Sequence, residues 1–399
     1  MRALQQQTHT HFSTRKQWQH FTTTHIKHNR ATVDHQQKPR QQHRAQAPST
    51  STAVTSDGSE PPKDTSVELA VPEGIAEPMS EEAVASEKQR QKKLWFAAVK
   101  PPMYTVSIIP ILVSAAAAYA ASGTLSLSKC LQLNLASILI IAWLNLSNDA
   151  FDADMNIDGN KPESVVNLTG NRNGVLATAW ACFAVGVAWL WSLVTGPAVQ
   201  GDSRIACLLG VAISLGYLYQ GPPFRLSYKG LGEPLCFVAF GPLATCAFYL
   251  AQVARPGGAV APDVSPAAVV GSVVVGITTS IILFCSHFHQ IADDKAANKM
   301  SPLVRLGTAN AVKVLQLALA AMYVLVGVSA VTGWLPAGCF GALCLAFPVV
   351  KDFLAFAEYN HTNPPVIRFL KLHGIKVHTA VGLALMAGFG LPQMLATSL

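Results

Sequence analysis

From about residue 92 onward the chain alternates long apolar runs with short polar breaks. A membrane-spanning helix needs roughly 20 mostly apolar residues. Runs of that kind fall at 103–122, 130–147, 174–195, 204–220, 234–252, 266–288, 309–332, 334–350 and 376–395, which predicts about nine spans. The eighth is short. The stretch 353–374, holding His361-Thr-Asn-Pro-Pro365, reads as a polar connection. Pro110, Pro242 and Pro348 fall inside spans, which membrane helices tolerate because neighbouring groups satisfy the freed carbonyls. The fold class expected is all-α membrane, a bundle around a central polar site. One arrangement occurs twice: an apolar helix, an acidic cluster, then a basic residue and a glycine before the next helix. It runs from Asn148 to Gly174 and again from His289 to Gly307, as in two related halves.

Composition agrees with a polytopic membrane protein. Charged residues make up 13% of the chain and mean hydropathy is +0.32, against roughly 25% charged residues in soluble domains. The net charge of +7 is misleading. Residues 1–50 hold eight Lys/Arg and one acid, and everything after them is balanced. The basic character therefore does not argue for nucleic-acid binding. Residues 1–50 are rich in Gln, Thr, Ser, His and Arg, poor in acids, and lack an apolar core. That is the composition of an organelle transit peptide rather than a secretory signal. Residues 51–91 turn acidic and read as a disordered linker, leaving 92–399 as the membrane domain. The His residues of the N-terminal segment have no regular spacing and are taken as incidental. The eight cysteines lie in apolar segments without a CxxC pair and read as small buried hydrophobes, with no disulfide expected.

The chemistry concentrates at the end of the second run. Asn148, Asp149, Asp152, Asp154 and Asp158 crowd together where a membrane helix ends, and carboxylates in that position are costly and usually functional. Asp149 and Asp152 are three apart and share a helix face. Paired carboxylates are hard oxygen ligands for Mg²⁺, which takes substrate phosphates as further ligands. Asp158 is a further candidate ligand, and Asn148 a ligand or an orienter of metal-bound water. Lys161 and Arg172 follow and are candidate partners for diphosphate oxygens. The bland alternative is a hydrophilic loop between helices.

A second cluster, His289-Gln-Ile-Ala-Asp-Asp294, follows another apolar run. Gln290 and Asp294 share a helix face, whereas Asp293 points elsewhere unless the helix frays. Both aspartates are candidate metal ligands, and Lys299 and Arg305 are candidate diphosphate anchors. Between the clusters lies Gly216-Tyr-Leu-Tyr-Gln-Gly-Pro-Pro-Phe-Arg-Leu-Ser-Tyr-Lys-Gly-Leu-Gly-Glu233. Tyr217 and Tyr219 present aromatic faces that stabilise cations, an allylic carbocation included, and they equally suit interfacial anchors. Arg225 and Lys229 are candidates to hold a carboxylate or phosphate. Two clusters after two membrane helices point to one polar site for a diphosphate on an apolar tail.

These residues resemble the UbiA superfamily of membrane prenyltransferases. More closely, Asn145-Leu-Ser-Asn-Asp-Ala-Phe-Asp152, Ser164-Val-Val-Asn-Leu-Thr-Gly-Asn171, Gly221-Pro-Pro-Phe-Arg-Leu226 and Ser301-Pro-Leu-Val-Arg-Leu-Gly307 are similar to the 1,4-dihydroxy-2-naphthoate prenyltransferases, in particular the phytyltransferase branch of plants and cyanobacteria. The resemblance covers about residues 92–395. Two positions depart from the superfamily pattern. Asn156 stands where a third Asp is common, with Asp158 matching the naphthoate branch, and Gln290 opens a second motif that usually begins with Asp. The resemblance implies a UbiA-like bundle in which Asn148, Asp149, Asp152 and Asp294 are catalytic. It implies substrate contacts from Asn145, His289 and Gln290 beside the basic residues named above.

The implied reaction joins a prenyl diphosphate, phytyl or longer, to the aromatic acceptor. Mg²⁺ assists the leaving group as a Lewis acid, the ring attacks the allylic cation, and CO₂ is lost on the way to phylloquinone or menaquinone. Membrane lipid is the surrounding partner, and the plastid envelope or thylakoid the expected location. Two rivals remain at this level. One is another aromatic prenyltransferase with a homogentisate or chlorophyllide acceptor. The other, from a different class, is an ion-coupled transporter, in which carboxylates are expected at mid-span beside broken helices.

Overall fold

In a computed structural model, residues 81–155, 163–196, 199, 202–254 and 263–397 are described, with side chains from 85 to 390. The transit-peptide segment 1–50 and the linker up to residue 80 lie outside these. Among the described residues every regular element is helical. Helix α1 (Glu81–Val99) begins inside the segment expected to be disordered linker, a correction to that boundary. The local reason is visible on its surface: Glu87 binds Arg90 at 2.7 Å and Gln91 at 3.0 Å, the three- and four-residue spacings that support a helix.

Each of the nine apolar runs is helical. They form α2 (Thr105–Ser122), α3 (Leu127–Asp154), α5 (Arg172–Thr195), α6 (Ser203–Gln220), α7 (Gly232–Val253), α8 (Pro266–Ser286), α10 (Pro302–Val331), the pair α11 (Ala337–Leu345) and α12 (Phe347–Asn360), and α14 (Leu370–Thr397). Short helices α4 (Val165–Thr169), α9 (Ile291–Ala296) and α13 (Pro364–Ile367) lie between them. Seven helices among the described residues are long and apolar enough to cross a membrane, or eight if the bent pair counts as one span. Two expectations change. Helix α6 has 18 residues and is polar at both ends, at Arg204 and Gln220, so it falls short of that test. The eighth run is a pair bent by 49°, with Pro348 in the first turn of α12, where its missing N–H has no helical partner to lose. The expected polar connection 353–374 is mostly helix, since α12 runs to Asn360 and α14 starts at Leu370.

Helix starts follow local chemistry. The side chains of Ser126, Asn171, Asp202 and Ser265 accept first-turn backbone N–H groups of α3, α5, α6 and α8. Pro242 interrupts α7, and the chain answers with a π-helical stretch over Ala239–Thr245. The hydroxyl of Ser114 on α2 donates to the Thr245 carbonyl at 2.8 Å, and Thr245 donates to the Phe240 carbonyl at 2.7 Å. These hydroxyls tie the irregular stretch to α2 and to itself, and irregular helix of this kind is tolerated in a membrane where it is buried in protein. Helix packing also depends on absent side chains. A Cβ on Gly382 of α14 would collide with Ile109 of α2, and one on Gly388 would collide with the Cys339 backbone of α11. Small residues permit this approach where lipid supplies no hydrophobic driving force between helices.

One large core runs through the bundle, from Ile109 and Trp143 to Leu315, Val377 and Phe389. Helices α5 and α10 are the least enclosed, and Leu317, Val324 and Val331 of α10 face outward. All eight cysteines are free thiols; Cys207 and Cys344 are exposed rather than buried.

Candidate active site

The first cluster occupies the last two turns of α3. Asp149 is buried, and its two oxygens are already engaged. The Lys100 ammonium lies 2.7 Å from Oδ1, and the Val165 N–H donates to Oδ2 at 3.2 Å. Lys100 follows α1 in the left-handed region, at φ 53°, and so turns back toward α3. Asp152, one turn on, is half-buried. Gln220 at the end of α6 and the Tyr228 hydroxyl, at 3.3 Å, both donate to its Oδ1. Asp154 is exposed and forms a two-pronged pair with Arg172 (2.9 and 2.5 Å). Arg172 was expected at a diphosphate; its guanidinium is instead engaged at this carboxylate, since α5 starts beside the end of α3. Asp158 and Lys161 lie outside the described residues.

The loop between α6 and α7 links this cluster to the second. Tyr228 sits in a short 3₁₀ turn, Leu226–Lys229. Its ring lies 5.9 Å from the Lys299 ammonium and 6.0 Å from the Arg225 guanidinium, within cation–π range. Its carbonyl accepts the Met300 N–H at 2.8 Å. Arg225 also contacts the Met155 sulfur. Arg305 donates to the Lys229 carbonyl at 2.8 Å, so it ties the loop to α10, while the Lys229 side chain is exposed.

In the second cluster, Asp294 is buried at 2% exposure and lies 3.4 Å from the Lys299 ammonium. Its other oxygen, Oδ2, is buried without a hydrogen bond among the described residues. Asp293 is exposed, which separates it from Asp294. The short helix α9 explains the difference: the Asp294 N–H donates to the Gln290 carbonyl at 2.7 Å, closing the turn that aims Asp294 inward. Gln290 and His289 are half-buried. Behind them, Glu233 and His287 form a buried pair, Oε1 to Nδ1 at 3.4 Å.

Beside these clusters lies a cavity of about 170 Å³. Asn145 and Asn148 of α3, Tyr219 of α6, Ser286 of α8 and Lys371 of α14 line it, together with apolar groups such as Met103 and Phe240. A second, smaller cavity of about 80 Å³ shares Val106, Ile141, Leu144, Gly216, Ala239 and Phe240 with the first and carries on between apolar side chains as far as Phe248 and Leu190. The two tyrosines have separated. Tyr219 faces the cavity, whereas Tyr217 donates to the Pro222 carbonyl at 2.8 Å and packs against Phe151 and Trp180.

The donor set fits a hard divalent cation. Asn148, Asp149, Asp152 and Asp294 offer oxygens, and Asp294 Oδ2 is a buried acceptor lacking a hydrogen bond. Among the described residues no three acidic, His or Cys side chains gather at one point. One or two carboxylates plus substrate phosphates are nevertheless the usual complement of Mg²⁺.

Sequence reasoning missed Lys100, Gln220, Tyr228, Glu233, His287 and Lys371. Gln220, Tyr228 and Glu233 all fall in or at the end of the loop already singled out, which was the available signal. Lys100 and Lys371 are distant in sequence and carried none.

The chain belongs to the UbiA prenyltransferase family, whose pattern matches residues 107–373. It is 45% identical over 300 residues to a 2-carboxy-1,4-naphthoquinone phytyltransferase, chloroplastic, from Arabidopsis thaliana, covering 75% of this chain and 77% of that one. It is 42% identical over 299 residues to a 2-carboxy-1,4-naphthoquinone phytyltransferase from Synechocystis, covering 75% and 94%. Among solved structures it is similar to a UbiA homolog from Archaeoglobus fulgidus bound to GPP and Mg²⁺, at 15% identity and a TM-score of 0.47, covering 73% of this chain and 99% of that one.

Proposed function

We propose that this protein transfers a phytyl group, or another prenyl group, from its diphosphate to 1,4-dihydroxy-2-naphthoate, releasing diphosphate and CO₂ in phylloquinone biosynthesis. One observation carries the reading. Acidic and basic side chains of both clusters meet around Tyr228, beside an apolar cavity with Asn145 and Asn148 on its wall. A diphosphate on an apolar tail needs that division between a charged end and a dry channel. The relatives named as 2-carboxy-1,4-naphthoquinone phytyltransferases support a naphthalene-type acceptor and a phytyl chain.

Each part of the chain has a task. The cations Lys299, Arg225 and Arg305 surround the position where diphosphate charge accumulates, and charge-assisted contacts are the stronger class. Asp149, Asp152 and Asp294, with Asn148, would hold Mg²⁺. That ion, when bound, neutralises the departing diphosphate as a Lewis acid. As the allylic C–O bond breaks, its electron pair leaves with the diphosphate oxygen. The Tyr219 ring faces the cavity where the remaining cation forms, and aromatic faces favour cations. The apolar wall excludes water that would otherwise capture it. The acceptor ring, at the hydroquinone level, is electron-rich enough to attack. Loss of CO₂ returns the C–C bonding pair to the ring and restores aromaticity.

Residues 1–50 are inferred to direct import into plastids, and the helical domain to act in a plastid membrane. The test is purified protein in nanodiscs with phytyl diphosphate and, separately, naphthoate, homogentisate and chlorophyllide acceptors, with and without Mg²⁺. Phytylated naphthoquinol and CO₂ formed in equal amounts is the expected result. Product from another acceptor alone, or ion flux without diphosphate release, would replace this reading.

A further inference from the structure

Helix α1 is not used by the proposed reaction, yet its surface is strongly patterned. Residues 88–100 hold five cations, Lys88, Arg90, Lys92, Lys93 and Lys100, and no acid. Lys88, Lys92, Trp95, Phe96 and Val99 recur at i, i+4, i+7, i+8 and i+11, so they share one helix face. All five are exposed, and so is Lys93 at the edge of that face. The other side carries half-buried Glu87 and Leu94 and buried Ala98. Arg90 is engaged with Glu87 and Lys100 with Asp149, while Lys88, Lys92 and Lys93 point outward.

The location of α1 follows from what it joins. With α2 it makes a stretch of 38 residues, Ala85–Ser122, whereas a span needs roughly 20. Helix α2, with 18 residues, supplies the crossing. Lys100, at φ 53°, and Pro101-Pro102 break the chain between the two helices. Helix α1 is thus placed where the first span meets water. The order along its outward face suits that place. The lysines lie farther from the span, and the aromatic and aliphatic side chains lie next to it. Tryptophan is favoured at the membrane–water interface, and lysine stems carry their charge out to the headgroups. A basic segment beside a span is attracted to anionic lipid.

We propose that α1 lies on the membrane surface and binds anionic lipid headgroups through Lys88, Lys92 and Lys93, with Trp95, Phe96 and Val99 seated among the upper acyl carbons. The partner is the lipid surface itself, and the contact is independent of the prenyl-transfer chemistry.

The experiment uses the full chain in phosphatidylcholine nanodiscs containing a low fraction of brominated phosphatidylglycerol or, separately, of brominated phosphatidylcholine. Bromine quenches tryptophan on contact, and the difference between wild type and Trp95→Phe isolates Trp95 from the remaining tryptophans. At equal fraction, quenching by the phosphatidylglycerol is expected to be at least about fivefold that by the phosphatidylcholine, the scale of one cation at an anionic surface. Replacing Lys88, Lys92 and Lys93 together by Gln should make the two lipids equivalent. That variant keeps the basic residues 1–50, so it separates α1 from them. Lys92→Gln with Lys93→Gln serves if the triple variant does not fold. Salt that shortens the Debye length to about 3 Å should also remove the preference, whereas inorganic phosphate at matched ionic strength should act no more strongly than chloride. Equal quenching by both lipids in the wild type overturns the proposal, because α1 is then an anchor without anion recognition. Absence of quenching by either overturns it too, because Trp95 is then covered by protein. A preference that survives the Gln substitutions or the high salt, or one that phosphate alone removes, assigns the anion elsewhere and equally overturns it.

Discussion

The Lys100 ammonium lies 2.7 Å from Oδ1 of Asp149, although the two residues are 49 apart in sequence. The carboxylate is buried, while the lysine side chain is 31% exposed. The relationship ties the segment entering the first long helix of the bundle to the acidic end of α3. It also gives a proposed metal ligand a cationic partner of its own. Breaking a buried pair by deleting one member leaves an uncompensated charge, and partial exposure of Lys100 reduces the loss.

Lys100→Ala is therefore expected to destabilise the metal-free protein by about 1–2 kcal/mol, a value below that of a fully buried pair. Added Mg²⁺ should restore more stability to this variant than to the wild type, because the ion takes over the role of the ammonium. Thermal unfolding in detergent across a Mg²⁺ titration checks this. Equal metal responses in both proteins would separate Asp149 from the metal.

Asp149→Ala and Asp152→Ala should each lower turnover at least about a hundredfold, the scale on which removing a charge-stabilising group acts. Membrane insertion should be unaffected, since α3 keeps its apolar run. Product formation per amount of folded protein decides it. Near-wild-type, Mg²⁺-dependent turnover in either variant would remove that residue from the site.

Tyr228 touches both clusters through different parts of its side chain. Its hydroxyl reaches Asp152, and its ring faces Lys299 and Arg225. Tyr228→Phe removes one hydrogen bond and leaves Gln220 on Asp152. The expected cost is about 1.5–3 kcal/mol of transition-state stabilisation, as for a hydrogen bond to a charged group. Tyr228→Ala removes the ring as well and should raise the KM for prenyl diphosphate. If the Phe and Ala variants behave alike, the ring contributes nothing to holding the cations.

Much of this site could be seen along the chain, and the reason for the remainder is physical. Apolar runs of spanning length mark helices wherever they occur, so α2, α3, α5, α8 and α10 were legible from their composition. The run at 334–350 was legible as apolar but not as broken, because its composition carries no sign of the 49° bend between α11 and α12. Asp149 and Asp152 stood out because acids at a membrane helix end are unusual. Their spacing placed them on one face, yet it could not assign their partners. Those come from Lys100 just after α1, from the start of α4, from the end of α6 and from the 3₁₀ turn, far apart in sequence. Lys371 sits in a stretch that reads as a polar connector, and the cavity it lines exists only after six helices assemble.

The last expectation concerns Asp293 and Asp294, neighbours that the sequence leaves as two candidate metal ligands. The structure exposes Asp293 and buries Asp294 beside Lys299, with Oδ2 of Asp294 lacking a hydrogen bond. A buried acceptor without a partner costs about 1–3 kcal/mol, which a bound cation would recover. With Gln290 neutral, Asp294 is the carboxylate this cluster has left to offer the metal. Asp294→Asn should then cut kcat at least about tenfold and raise the Mg²⁺ concentration needed for half-maximal rate, since the amide binds a hard cation more weakly than a carboxylate does. Asp293→Asn should leave both quantities near the wild-type values. Arg305→Gln should raise the KM for prenyl diphosphate by loosening the loop it holds at the Lys229 carbonyl, as well as by removing charge. The naphthoate KM should change little in all three variants. Initial rates with Mg²⁺, donor and acceptor varied in turn supply the comparison. Matching effects of the Asp293 and Asp294 substitutions would show that burial does not choose between them, and an unchanged Mg²⁺ requirement in Asp294→Asn would remove the second cluster from the metal site.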